Sequence, residues 1–144
     1  MSSVQAASIV PQKHLRRALL ALACAAGAAG AQAQSAMPQW KGEGAVRYVC
    51  GGIGSDESTA MRAAMKDHPL ALLFARSDGA YLADVQVDIK GADGAPSLAL
   101  RASGPVCLVD LPAGRYTIDA AMAGTAKSQT VTVGGGSKTA SFRF

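Results

Sequence analysis

From Leu70 to Phe144 polar and apolar positions alternate in short blocks with a period of two. Leu82–Lys90 (LADVQVDIK) is the clearest block. Ala83, Val85, Val87 and Ile89 fall on one face and Asp84, Gln86, Asp88 and Lys90 on the other, as in a half-buried strand. Arg115–Ala123 alternates in the same way, with Tyr116, Ile118, Ala120 and Met122 inward. Thr139–Phe144 sets Ala140, Phe142 and Phe144 on one face, and Ser97–Ala102, Val106–Leu111 and Lys127–Val133 read as further strands. Leu70–Arg76 (LALLFAR) is almost continuously apolar, as expected for a strand at the centre of a core. Turn residues separate the blocks at Ser77-Asp78-Gly79, Gly91-Ala92-Asp93-Gly94, Ser103-Gly104-Pro105 and Pro112-Ala113-Gly114.

Upstream of Leu70 the pattern changes. Ala45–Cys50 (AVRYVC) alternates, with Val46, Tyr48 and Cys50 on one face, and the glycine turn Gly51-Gly52-Ile53-Gly54 ends it. Ser55 then stands at the expected N-cap of a helix, with Asp56 and Glu57 in the first turn, where negative charge is favoured. Met61, Ala64, Met65 and His68 recur at helical spacing, Arg62 and Lys66 are expected to face water, and Pro69 ends the helix. About eight strands with turns every 8 to 12 residues and one short helix predict a mainly β chain. The expected architecture is an antiparallel sandwich of about seven to eight strands with a short N-terminal α-helix. No strand–helix alternation suggests a parallel nucleotide-binding sheet.

Met1–Ala33 reads as a secretory signal peptide. Lys13, Arg16 and Arg17 precede the apolar run Ala18–Gly30, and Ala31-Gln32-Ala33 supplies a small-residue cleavage site. The run is shorter than the ~20 apolar residues of a bilayer span. Ala21-Leu22-Ala23 before Cys24 is a poor lipoprotein signal, so lipidation of Cys24 is not expected. Gln34–Gly44 reads as a loose lead-in in which Trp40, the single tryptophan, pins the chain to the sandwich edge. Three of the 14 basic residues leave with the signal and all ten acids stay, so the formal charge falls from +4 to +1. No Lys/Arg run remains, which argues against nucleic acid or an anionic membrane as partner.

The same cut removes Cys24 and leaves Cys50 and Cys107 in an exported chain, for which one disulfide is the first reading. Closing a loop of roughly 58 residues is worth about 4 kcal/mol in the chain-entropy model. Two buried thiols or a redox pair are the competing readings. Cys50 lies five residues before Ser55, too far for the helix to lower its thiol pKa.

Leu111-Pro-Ala-Gly-Arg-Tyr-Thr-Ile118, a strand, the Gly124 turn and a Thr/Val-rich strand together resemble the carboxypeptidase regulatory-like domain. Asp78-Gly79 before Leu82-Ala-Asp-Val-Gln-Val87 resembles an earlier turn and strand of that family. The resemblance covers residues 70–144 and implies a transthyretin-like sandwich, usually non-catalytic. Residues 45–69, with Cys50 and the helix, are an addition to the basic module.

Catalytic chemistry finds little to use. His68 is the one histidine after the signal and is expected to serve the helix C-terminus; no Ser–His–Asp or Cys–His set forms without it. The transthyretin-like fold includes a purine-pathway hydrolase with several histidines and a Tyr-Arg-Gly-Ser tail, but this chain ends Ser141-Phe-Arg-Phe144. One histidine and two distant cysteines do not make a zinc or copper site. Asp84, Asp88 and Asp119 read as solubilising charges, with turn carboxylates Asp78 and Asp93 as a weak calcium alternative. A phosphate loop at Gly51–Gly54 is opposed by Asp56 and Glu57. The expectation is therefore a periplasmic, non-catalytic module without cofactor, binding a protein or carbohydrate partner. Its candidate binding residues are Gly51, Gly52, Gly54, Tyr81 and Trp40, and its candidate disulfide is Cys50–Cys107. A thiol-dependent redox or stress function is the alternative.

Overall fold

The computed structural model describes residues 37–144, which belong to one compact unit, Gln34–Phe144. The readings of residues 1–33, including Cys24, lie outside the described residues, as does the start of the lead-in. Two sheets face each other. The first takes strands in the order β1 (Lys41–Glu43), β2 (Val46–Gly51), β6 (Val106–Asp110), β3 (Leu70–Ala75) and β9 (Lys138–Arg143). The second takes β5 (Leu98–Ala102), β4 (Val85–Gly91), β7 (Gly114–Met122) and β8 (Thr125–Val133). The fold is mainly β, as the alternation predicts.

The inward faces of both sheets make one core. Val85, Val87 and Ile89 from β4 and Tyr116, Ile118 and Ala120 from β7 meet Leu70, Leu72 and Phe74 from β3. Phe74 and Phe142 are register partners in β3 and β9 and stack with ring centroids 5.8 Å apart. A second, smaller core lies on the outer side of the first sheet, where helix α1 (Ser55–Ala64) lays Met61 on Val49, Ala71, Val106 and Leu108. The unbroken apolar runs of β3 and β6 follow from this: one face meets the second sheet and the other the helix, so alternation disappears.

Four local expectations are corrected. The lead-in is not loose throughout: Lys41–Glu43 pairs with Val46–Tyr48 as an edge strand, turned at Gly44 (φ 61°), so nine strands form rather than seven or eight. The sandwich is not wholly antiparallel, because β9 runs parallel to β3, Leu70 opposite Lys138 and Ala75 opposite Arg143. The chain leaves β8 in the second sheet and crosses by Gly134–Ser137 to the start of β3, where Lys138 N–H donates to Pro69 O (3.1 Å). Ser55 is not the N-cap. Gly54 holds that extended position, without a side-chain cap, and α1 closes at Ala64 before a tight helical turn, Met65–Asp67. The fourth strand starts at Val85 instead of Leu82, because Asp84 takes a left-handed conformation (φ 62°) that breaks the pleat.

Candidate binding surface

Cys50 and Cys107 sit directly opposite in β2 and β6, with Cα atoms 4.1 Å apart, and form a disulfide. Cys107 is fully buried and Cys50 is 8% exposed. The bond thus ties β2 to β6, the central strand of the first sheet. Just beyond Cys50 the glycine turn begins, and its glycines part company. Gly51 is packed shut: a Cβ there would lie 2.8 Å from Pro38 Cγ and 3.0 Å from Met61 Sδ. Gly52 adopts φ 94°, open to glycine at little cost, and its N–H donates to Glu57 Oε1 (2.7 Å). Glu57 thereby reaches back from the first helical turn, the role expected of Ser55 in holding the helix entry. Gly54 faces open space.

Three loops at this end of the sandwich enclose a groove of about 260 Å³, lined by Gly52, Ile53, Tyr81, Leu82, Ala83 and Pro105. Ile53 is 73% and Tyr81 63% exposed, and they are the exposed large hydrophobic side chains of the described residues. Both therefore converge on a single surface. Tyr81 is placed by an isolated antiparallel bridge to Ala75 and by Leu82 N–H donating to Phe74 O (3.2 Å). Arg62, expected to face water, instead lies over the Tyr81 ring, Cζ 4.7 Å from the centroid. Its Nε donates to Ser58 Oγ (3.3 Å), while Nη2 is buried with no acceptor.

Trp40 is elsewhere. It packs with Met37 on the outer core, its ring 4.7 Å from that of His68 and 4.9 Å from the Arg47 guanidinium. Asp110 joins the same group: Oδ2 accepts from Arg47 Nη2 (2.7 Å) and Oδ1 lies 2.8 Å from His68 Nδ1. Burial pushes the Asp110 carboxyl up, but the hydrogen bonds and charges of His68 and Arg47 outweigh it and hold the group below the ordinary carboxylate range. The helix C-terminus is thus not the partner of His68. Sequence pattern gave no sign of this pair, since the two residues lie 42 positions apart.

The expected binding residues consequently divide. Gly52 and Tyr81 share the groove, Gly51 and Gly54 frame its glycine turn, and Trp40 belongs to the Asp110 cluster. Sequence reasoning missed Ile53, Leu82, Pro105 and Arg62; the exposed Ile53 between two glycines is the signal that could have found the groove. Larger clefts at the opposite end, about 520 Å³ around Ala92–Pro96 and about 320 Å³ beside His68, are lined mostly by small residues, and the charges of the second are already paired, Lys66 with Asp67 and His68 with Asp110. Asp119 is engaged by Lys90 (2.8 Å) and Ser128 (2.7 Å), and Asp84 by Arg101 (3.3 Å). Among the described residues no three His, Cys, Asp or Glu side chains gather as a metal site would need. No helix among them is long and apolar enough to cross a membrane. Compared with family models, curated proteins and solved structures, the chain matches none of them.

Proposed function

We propose that this chain is an exported, non-catalytic β-sandwich module that binds a protein partner through the Ile53–Tyr81 groove. The observation that carries the reading is the convergence of the two exposed large hydrophobic side chains on one concave surface. Exposed apolar side chains gathered in one place mark contact sites more often than scattered ones do. An aliphatic residue beside a tyrosine favours a protein partner over a sugar, which takes an aromatic platform. Export to the periplasm rests on the basic-then-apolar N-terminus and small-residue cleavage pattern of residues 1–33. The carboxypeptidase regulatory-like assignment rests on the Leu111–Ile118 motif, with the two-sheet architecture as support. The thiol-dependent alternative is weakened by the burial of the disulfide, since a reductant reaches Cys107 only when the sheet opens.

A photo-crosslinking residue placed at Ile53, and in a separate variant at Thr130 on the far sheet, tests the reading in cells producing the protein. The expected result is a discrete protein adduct from position 53 and none from position 130. Equal labelling at the two positions, or none at 53, refutes the groove as the binding surface.

A further inference from the structure

The groove has a charge on its flank that nothing in the described chain answers. Arg62 takes part in none of the ion pairs among the described residues, and its Nη2 is the one buried side-chain nitrogen or oxygen among them without a hydrogen-bond partner. A guanidinium N–H taken out of water and left without an acceptor carries its full desolvation penalty, which an acceptor arriving from outside removes. Two acids of the adjoining segments are committed elsewhere: on α1 Glu57 Oε1 accepts from Gly52 N–H, and beyond Leu82 Asp84 pairs with Arg101. The group lying over the guanidinium is the Tyr81 ring, carried by a loop and itself 63% exposed.

We propose that the groove takes the C-terminal end of a peptide chain whose last residue is aliphatic; the proposal rests on the groove being the binding surface. The terminal side chain packs on Ile53, Leu82 and Ala83. The terminal carboxylate pairs with Arg62 as the Tyr81 ring turns off it. Charge complementarity selects this occupant. The planar guanidinium fork matches a carboxylate in two parallel hydrogen bonds, whereas a neutral sugar brings no counter-charge. The aliphatic lining favours a Leu- or Val-like side chain beside that carboxylate.

The probe is the peptide acetyl-Gly-Ala-Leu with a free carboxylate, compared with its C-terminal amide, titrated into the ¹⁵N-labelled full chain with its disulfide formed. The acid is expected to shift the Gly52, Ile53 and Ala83 amide resonances and to bind about tenfold or more tightly than the amide. Arg62→Gln is expected to abolish that difference, and Ile53→Asp to remove binding of both peptides; an unchanged spectrum elsewhere shows that each variant is folded. Equal binding of acid and amide overturns the carboxylate assignment but leaves the groove reading intact. No shift with either peptide overturns the proposal, and the crosslinking experiment then decides the groove separately. Two further results also overturn it: shifts produced by an oligogalacturonate but not by the peptide, and concentration-dependent shifts of the same amides without any peptide, which mark self-association.

Discussion

The Tyr116 hydroxyl donates to the carbonyl of Pro112 at 2.7 Å, four residues back, and the ring above it is fully buried. This bond explains the Leu111-Pro-Ala-Gly-Arg-Tyr116 motif physically. Proline and glycine bend the chain out of β6, and the tyrosine ties the bend to β7 while its ring fills the core between the sheets. Burial also pushes the phenol of Tyr116 up. Tyr116→Phe keeps the ring and removes the bond, leaving the Pro112 carbonyl without its donor. The expected loss is about 1–2 kcal/mol, read as a lower urea midpoint at unchanged slope; an unchanged midpoint refutes the lock.

The same burial makes a separate prediction at high pH. Tyr116 ionises less readily in the folded chain than in the unfolded one, so its contribution is whole below the ordinary tyrosine value of 10.0 and is lost as pH rises beyond it. Wild-type stability is expected to fall above pH 10.0 more steeply than that of Tyr116→Phe, measured by urea unfolding across that range. Parallel curves for the two proteins rule the effect out.

The Cys50–Cys107 bond joins residues separated by 57 positions. Replacing both cysteines by alanine is expected to cost about 4 kcal/mol in the chain-entropy picture, while β2 and β6 still pair through their backbones. Because Cys107 is fully buried, a mild reductant should leave the native bond intact and cleave it quickly in denaturant. Rapid native reduction, followed by thiol labelling and mass spectrometry, is the outcome that would revive the redox alternative.

What the sequence made legible, and what it hid, separates along the range of the interactions. Val85, Val87 and Ile89 declare their strand because alternation is a local property, and the two cysteines are few enough to pair by arithmetic. The order of strands within a sheet leaves no such trace. Nothing in Thr139–Phe144 says that its neighbour is β3 or that the two run parallel, since an edge strand of either direction shows the same alternation. The continuous apolar runs of β3 and β6 report burial on both faces but not that a helix supplies one of them. Polar pairs are hidden more deeply. Arg62 has helix-surface spacing and would face water on an isolated helix; only the loop carrying Tyr81 makes it a flank of the groove. His68 and Asp110 meet because β3 and β6 are neighbours, which is again a fact of topology.

Asp110 offers a test at the acid end. Its folded-state carboxyl titrates below the ordinary value of 3.8, so the stability it contributes is complete above that value and is lost as pH falls below it. Asp110→Asn is expected to cost about 1–2 kcal/mol at neutral pH, where two charge-assisted hydrogen bonds are weakened. It should also flatten the fall in stability as pH drops below 3.8. The Trp40 ring, 4.7 Å from that of His68, supplies an independent reporter. Its fluorescence should shift in the native variant at neutral pH as His68 loses its ionic partner. A variant with wild-type fluorescence and the wild-type acid limb shows that the cluster contributes nothing.

The two glycines flanking the groove's turn make opposite predictions for small substitutions. Gly51 is enclosed by Pro38, Met61 and Glu57, so Gly51→Ala forces the lead-in and helix away from β2. Overpacking of this kind is expected to cost about 1–3 kcal/mol. Gly54 is the helix N-cap, already extended at φ −74° and ψ 152°, with no side-chain cap and nothing within 4 Å of an added Cβ. Gly54→Ser therefore supplies the acceptor that Ser55, one residue too late, cannot, and should gain a few tenths of a kcal/mol, on the order of 0.3–0.5. Urea midpoints for the pair, measured with the disulfide formed, decide between this arrangement and a simple flexible hinge. A hinge tolerates both changes equally. The packed turn described here separates them, Gly51→Ala moving the midpoint down and Gly54→Ser moving it up.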